Sequence, residues 1–259
     1  MRDRIAAIAY NTFREAVRDR VLYNLVVFAI LMVGAALLFG EISIGIERQV
    51  LVNLGFTAIS LFGIVIAIFI GIGLVSKEIE KKTLYTVLGA RPVRRWEFIL
   101  GKYSGLAGTL VVNAVFMAIG FFAALLYLAH HFERADAYLL VALYFIVLEF
   151  LLITAIAIFF STFSTPLMSA VFAFSLFVIG TFAEDLRNFA GLTTGLTKYA
   201  ANGLAWVVPN FAAFNVISQV AHSAPIDGRL VLYNSIYAAL YVLVCLSAAV
   251  LVFERRNFK

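Results

Sequence analysis

Apolar residues run along this 259-residue chain in blocks too long for the elements of a soluble core. A helix rises 1.5 Å per residue, so crossing about 30 Å of hydrocarbon takes roughly 20 residues. Six blocks approach or exceed that length: 21–39, 51–75, 105–128, 139–160, 167–183 and 231–253, the fifth being the shortest. Backbone amides left unpaired in lipid cost several kcal/mol each, and the alternation of a membrane barrel is absent, so the blocks predict six transmembrane helices.

Residues 1–20 carry a different pattern. Ile5, Ile8, Ala9, Phe13, Ala16 and Val17 recur at helical spacing, with Arg4, Asn11, Arg14, Glu15 and Arg18 elsewhere around the helix. This predicts an N-terminal interfacial helix lying in the membrane surface. Its five arginines are mixed with Asp3, Glu15 and Asp19, unlike a cleavable signal. The stretch 203–221 is apolar enough to invite a seventh span, yet it contains Pro209, Asn210, Asn215 and Gln219. A Pro-Asn pair at mid-bilayer depth would strand backbone groups, so 184–230 reads instead as outer-side helices lying on or dipping into the membrane.

Composition supports lipid as the solvent. The chain is 63% hydrophobic and only 14% charged, with a mean hydropathy of +0.99, against about 25% charged residues in ordinary soluble domains. The net charge of +5 does not indicate nucleic acid, because the basic residues gather at the ends of apolar runs rather than along one polar face. Fifteen of the 20 Lys and Arg fall on one side of the six-span layout, in 1–20, in 76–102 and after residue 253. That bias places both termini in the cytoplasm, and the chain reads as one transmembrane domain spanning 1–259. The lone Cys245 lies inside the last apolar block, so no disulfide framework exists and the thiol reads as a small buried side chain.

The cytoplasmic stretch 76–102, SKEIEKKTLYTVLGARPVRRWEFILGK, is the most informative. Thr83 with Val87, and Leu84 with Leu88, are four apart and form a short apolar ridge on a helix, flanked by Glu78, Glu80, Lys81 and Lys82. A ridge of that kind enters a partner's groove. Gly89 lets the helix end, and Pro92 disfavours helix at Arg91. Trp96 then anchors at the headgroups, Gly101 opens the next span and Lys102 snorkels outward.

The same stretch resembles the coupling region of ABC-type exporter permeases of the second type. The matching elements are the acidic-basic run with Glu78 and Glu80, the Thr83-Leu84 helix, the Pro92-x-x-Arg95 step and the Gly101-Lys102 pair. Lys82 stands where a glycine commonly precedes the threonine. The segments FREAVRDRVLY, VVPNFAAFNV and FERRNFK extend the resemblance over most of the chain, towards NosY-like permeases associated with maturation of copper enzymes. The resemblance implies an all-α membrane subunit with a cytoplasmic coupling helix between spans two and three. It also implies a dimer of ABC ATPase subunits, carrying ATP and Mg, as partner. A second permease copy, giving a homodimer, or a homologue would complete the pathway, with a periplasmic protein as a further candidate partner.

No phosphate-binding loop is legible in the chain itself. Gly101-Lys102 is followed by Tyr103 and preceded at the position of the first glycine by Trp96, so the pattern G-x-x-x-x-G-K-[ST] fails. Nucleotide therefore belongs to a separate polypeptide. Glu149 interrupts the fourth block, and an ionisable group at that depth is a pathway candidate by default. The plainer reading is a carboxyl that hydrogen-bonds a neighbouring helix, through Thr154 or Ser175. His130 and His131 beside Glu133 and Asp136 lack the i, i+4 spacing of a zinc pair and have no thiolate or thioether nearby, so they read as solvated loop residues and no metal site is expected. Gly101 and Gly105, with Ser104 and Gly108, form small-x-x-x-small pairs that let the third span approach another helix closely, within the subunit or across a dimer. Trp206, Pro209, Asn210 and Phe211 are candidates for an outer-side gate.

Two other functions fit parts of the pattern. One is a non-transporting scaffold that transmits force from an ATPase to a periplasmic partner. The other is an intramembrane enzyme, which the absence of HExxH, of paired intramembrane aspartates and of a Ser-His pair at one depth disfavours.

Overall fold

The structure, a computed structural model, describes residues 2–17, 27, 28, 30–32, 34, 35, 38, 46–80, 94–129, 136–192, 195, 198, 199, 203, 208–222 and 224–255, the last turns of several helices by backbone only. Among these residues every regular element is helical. In chain order they are α1 (Arg2–Ala16), α2 (Glu47–Glu80), α3 (Arg95–Ala129), α4 (Ala137–Ser161), α5 (Pro166–Thr181), α6 (Ala183–Leu192), a 3-10 turn (Ala212–Phe214), α7 (Ile217–Ala221) and α8 (Gly228–Arg255).

Among the described residues, four helices are long and apolar enough to cross a membrane: Arg48–Gly73, Arg95–Leu128, Ala137–Ser161 and Gly228–Glu254. The fifth block appears as the shorter apolar helix Pro166–Thr181, started by Pro166 where its missing N–H is harmless and rising about 24 Å. The first block, 21–39, is described at eight positions, all helical, and there Phe28 and Met32 are buried. Phe28 meets Phe62 of α2 edge-on at 6.3 Å.

α4 is apolar on every side and is the most buried span, whereas α8 is the least buried. α2 and α8 pack on α4, and α3 packs on α2. Since lipid tails are as apolar as the side chains, contact between these helices depends on close fit rather than on escape from water. α2 achieves that fit with glycines eight residues apart. A side chain at Gly55 would strike the Phe121 ring, one at Gly63 the Phe150 ring, and one at Gly71 would come within 3.2 Å of Ala157 Cβ. Phe121 and Phe150 are fully buried in those notches.

The bundle has two distinct ends. At one, α2, α4 and α8 begin, and Arg48 is ion-paired to Asp136, which precedes α4. At the other, α3 begins, α8 finishes, and α1 packs against α3. The apolar face read for α1 is turned onto α3: Thr12 and Ala16 are buried there, while Tyr10 and Arg14 are exposed. A Cβ on Gly101 would come within 2.7 Å of Ile8, and one on Gly105 within 2.5 Å of the Ala9 carbonyl oxygen. The glycine steps of the third span thus receive α1 of the same chain. α3 of the same chain covers that apolar stripe.

Candidate coupling face and transmembrane polar pair

Both helices that flank the charged stretch 76–102 continue beyond their apolar zones. α2 runs five residues past the apolar block that ends at 75, to Glu80, about 8 Å, and α3 starts ten residues before the apolar block at 105, about 15 Å. Glu78 and Glu80 are on the last turns of α2, where only the backbone is described. Thr83, Leu84, Val87, Leu88 and Pro92 lie outside the described residues, as do Trp206, His130 and His131.

Where description resumes, the start of α3 is capped from within. The Glu97 carboxylate, two residues into the helix from Arg95 and buried, accepts a hydrogen bond from the Arg94 backbone N–H at 3.0 Å, one half of a capping box. Arg95 turns to the end of α8. Its Nη1 donates to the carbonyl oxygens of Phe253 at 2.7 Å and Glu254 at 2.6 Å, and the guanidinium lies 5.9 Å from the Phe253 ring centre. Phe98, one turn on, stacks on the same ring at 5.9 Å.

Trp96 is half-buried and lines an open groove of ≈ 1070 Å³ between α3, α4 and α8, with Leu100, Tyr103, Leu148, Val242 and Leu246 along its walls. Lys102 does not snorkel outward as its position led us to expect. It is 1% exposed, with its ammonium 5.7 Å from the Phe98 ring centre, because α3 is covered here by protein. Gly101 is the contact point for Ile8.

Glu149 is the middle residue of the 25-residue α4 and is buried. Its carboxylate accepts a 2.8 Å hydrogen bond from the Ser60 hydroxyl, close to the centre of the Arg48–Gly73 span. Neither expected partner takes that place. Thr154 donates to the Phe150 carbonyl oxygen of its own helix at 2.6 Å, and Ser175 is exposed on α5. Ser60 is 89 positions away in sequence, and only the packing of α2 on α4 at the Gly63–Phe150 notch brings it to the carboxylate.

The segment around Pro209 is tied down by groups on α5 and α8. The Phe211 N–H donates to the Gly180 carbonyl oxygen at 3.0 Å, and Phe211 packs edge-on against Phe177 at 5.2 Å. Gly180 allows the Pro209 carbonyl to approach where any Cβ would collide. The Asn210 N–H donates to the Tyr237 hydroxyl at 2.9 Å, and Asn234 Nδ2 donates to the Ala213 carbonyl oxygen at 2.7 Å. These two α8 side chains satisfy backbone groups that an irregular segment would otherwise bury unpaired. Asn234 and Tyr237, one turn apart in an apolar block, were the sequence signal for this support. Among the described residues no three His, Cys, Asp or Glu side chains converge in a way that could hold a metal ion.

Long apolar helices around a buried mid-span polar pair define a multi-pass helical membrane protein. The chain belongs to the ABC-2 family transporter protein family, whose profile matches residues 6–258, and is a permease component of an ABC system. Membership in that family implies partnership with an ABC ATPase. No curated protein matches the chain significantly.

Proposed function

We propose that this chain is the membrane-spanning subunit of an ATP-driven exporter, in which 76–102 is the cytoplasmic loop gripped by a separate ATPase that carries ATP and Mg. Family membership over nearly the whole chain supports this reading, and the observation that carries it is the extension of α2 and α3 past their apolar zones at one end of the bundle. Helices that continue about 8 Å or more past their apolar blocks bring their ends within reach of a soluble motor. Six spans with both termini cytoplasmic complete the layout, in a prokaryotic inner membrane and on the NosY-like branch. The working unit pairs two copies, or one copy with a homologue, each docking one ATPase subunit.

ATP binding draws the two ATPase subunits together and biases the permease between inward- and outward-opening arrangements. Reversing a 1:99 bias takes about 5.5 kcal/mol of differential binding, within reach of an ATPase dimer closing on nucleotide. Residues 208–214, with Trp206, serve as the outer-side gate, braced on Gly180, Asn234 and Tyr237.

The experiment is reconstitution in lipid vesicles with the co-purifying ATPase. The permease alone is expected to hydrolyse no ATP, whereas the complex hydrolyses ATP and moves cargo. Hydrolysis by the purified permease unaided contradicts the proposal, and hydrolysis that moves no candidate cargo favours the force-transmitting scaffold. Glu149 is the pathway residue of this reading. Its replacement by Gln is expected to lower transport about ten-fold, the scale of one hydrogen bond. Normal transport at every pH tested would leave Glu149 with only its packing role.

A further inference from the structure

The first turns of α3 gather two other helices. Gly101, Gly105 and Gly108 receive α1, while Arg95 and Phe98 hold the end of α8. Arg95 is the first residue of α3 and thus the first helical residue after the loop. The last carbonyls of any helix lack intrahelical partners and carry partial negative charge. The guanidinium supplies donors and a positive charge to two of them at once, in α8, 158 and 159 positions further along the chain. Beyond this base, part of the facing surfaces of α3 and α8 is parted by the ≈ 1070 Å³ groove, with Trp96, Leu100 and Tyr103 on one wall and Val242, Leu246 and Val250 on the other. α8 packs chiefly on α4. Arg95 and Phe98 supply hydrogen bonds and ring stacking that tie its end to α3.

We infer that Arg95 is the positioning residue that passes movement of the cytoplasmic loop directly into the last span, so that the loop exit and the end of α8 travel as one body. This rests on the reading of 76–102 as the coupling loop. The hydrogen bonds go to backbone oxygens, so the link does not depend on which side chains occupy 253 and 254. It acts along α8 from its terminal carbonyls, where a pull on a rigid helix moves the whole rod.

The test uses the permease in complex with its ATPase in lipid nanodiscs, in a Cys245→Ala background, with pairs of spin labels at exposed positions. One pair joins Phe116 of α3 to Leu140 of α4, and the other joins Val244 of α8 to Leu140. In the otherwise native chain, ATP is expected to shift both distances. Arg95→Met retains a flexible stem but has no donor. It is expected to preserve the α3 shift and to cut the α8 shift at least five-fold, with Arg95→Lys restoring about half. A full α8 shift in Arg95→Met overturns the inference. Absence of any shift in the native chain instead overturns the coupling reading, and the inference falls with it. Should Arg95→Met fail to accumulate, Arg95→Lys carries the test, and an undiminished α8 shift in it overturns the inference.

Discussion

Replacing Leu84 by Asp is expected to leave the permease folded and inserted while uncoupling ATP hydrolysis from transport. A charge placed in an apolar ridge docked in a partner's groove costs at least about 2 kcal/mol, as for a hot-spot residue. That corresponds to roughly 30-fold weaker docking. Leu88→Asp is expected to act in the same way, because the two residues are four apart in sequence, the spacing of one face of the expected coupling helix. Transport in vesicles, measured beside ATP hydrolysis by the complex, reads the effect directly. Unchanged transport in both variants would show that the ridge does not dock.

The second large effect is on assembly of the bundle. Gly63→Leu puts a branched side chain where the buried Phe150 ring sits, between two helices that meet through close fit. Overpacking of a tight site typically costs about 1–3 kcal/mol and at times more, and here the notch has no slack. The variant is expected to lose several degrees of thermal stability in detergent and to separate Ser60 from Glu149, one turn and one residue away respectively. Phe150→Ala in the same chain should recover most of the loss, since it vacates the notch. Equal instability of the single and double variants would mean that the two positions do not meet.

Much of this architecture is legible in the amino-acid sequence. The block 139–160 lies within α4 with two residues to spare at its start and one at its end, because an uninterrupted apolar run in lipid has only helix open to it. The α1 stripe was legible for the same reason, since Ile5, Ile8, Ala9, Phe13 and Ala16 share one face by periodicity alone. What covered that stripe was not. Apolar residues facing lipid and facing a neighbouring helix look alike in sequence, so Gly101 and Gly105 signalled a close approach without naming α1 as the helix that approaches.

The same ambiguity governed the polar residues. Lys102 stood at the start of an apolar block, where a lysine normally reaches water, and its burial follows from tertiary packing that periodicity does not encode. Glu149 was conspicuous as a carboxyl in an apolar helix. Its partner was hidden because a lone serine in α2 is unremarkable until the two helices are placed together. Arg95 illustrates the opposite case: the residue was singled out for its place in the loop, and the structure turns it towards the last helix of its own chain.

The most direct test of the account is maleimide labelling of a cysteine at position 84 in the Cys245→Ala background, using a reagent that cannot cross the membrane and vesicles of known orientation. We expect labelling only from the cytoplasmic face, with protection when the ATPase is bound. Labelling from the external face, or an equal rate with and without the ATPase, would contradict it.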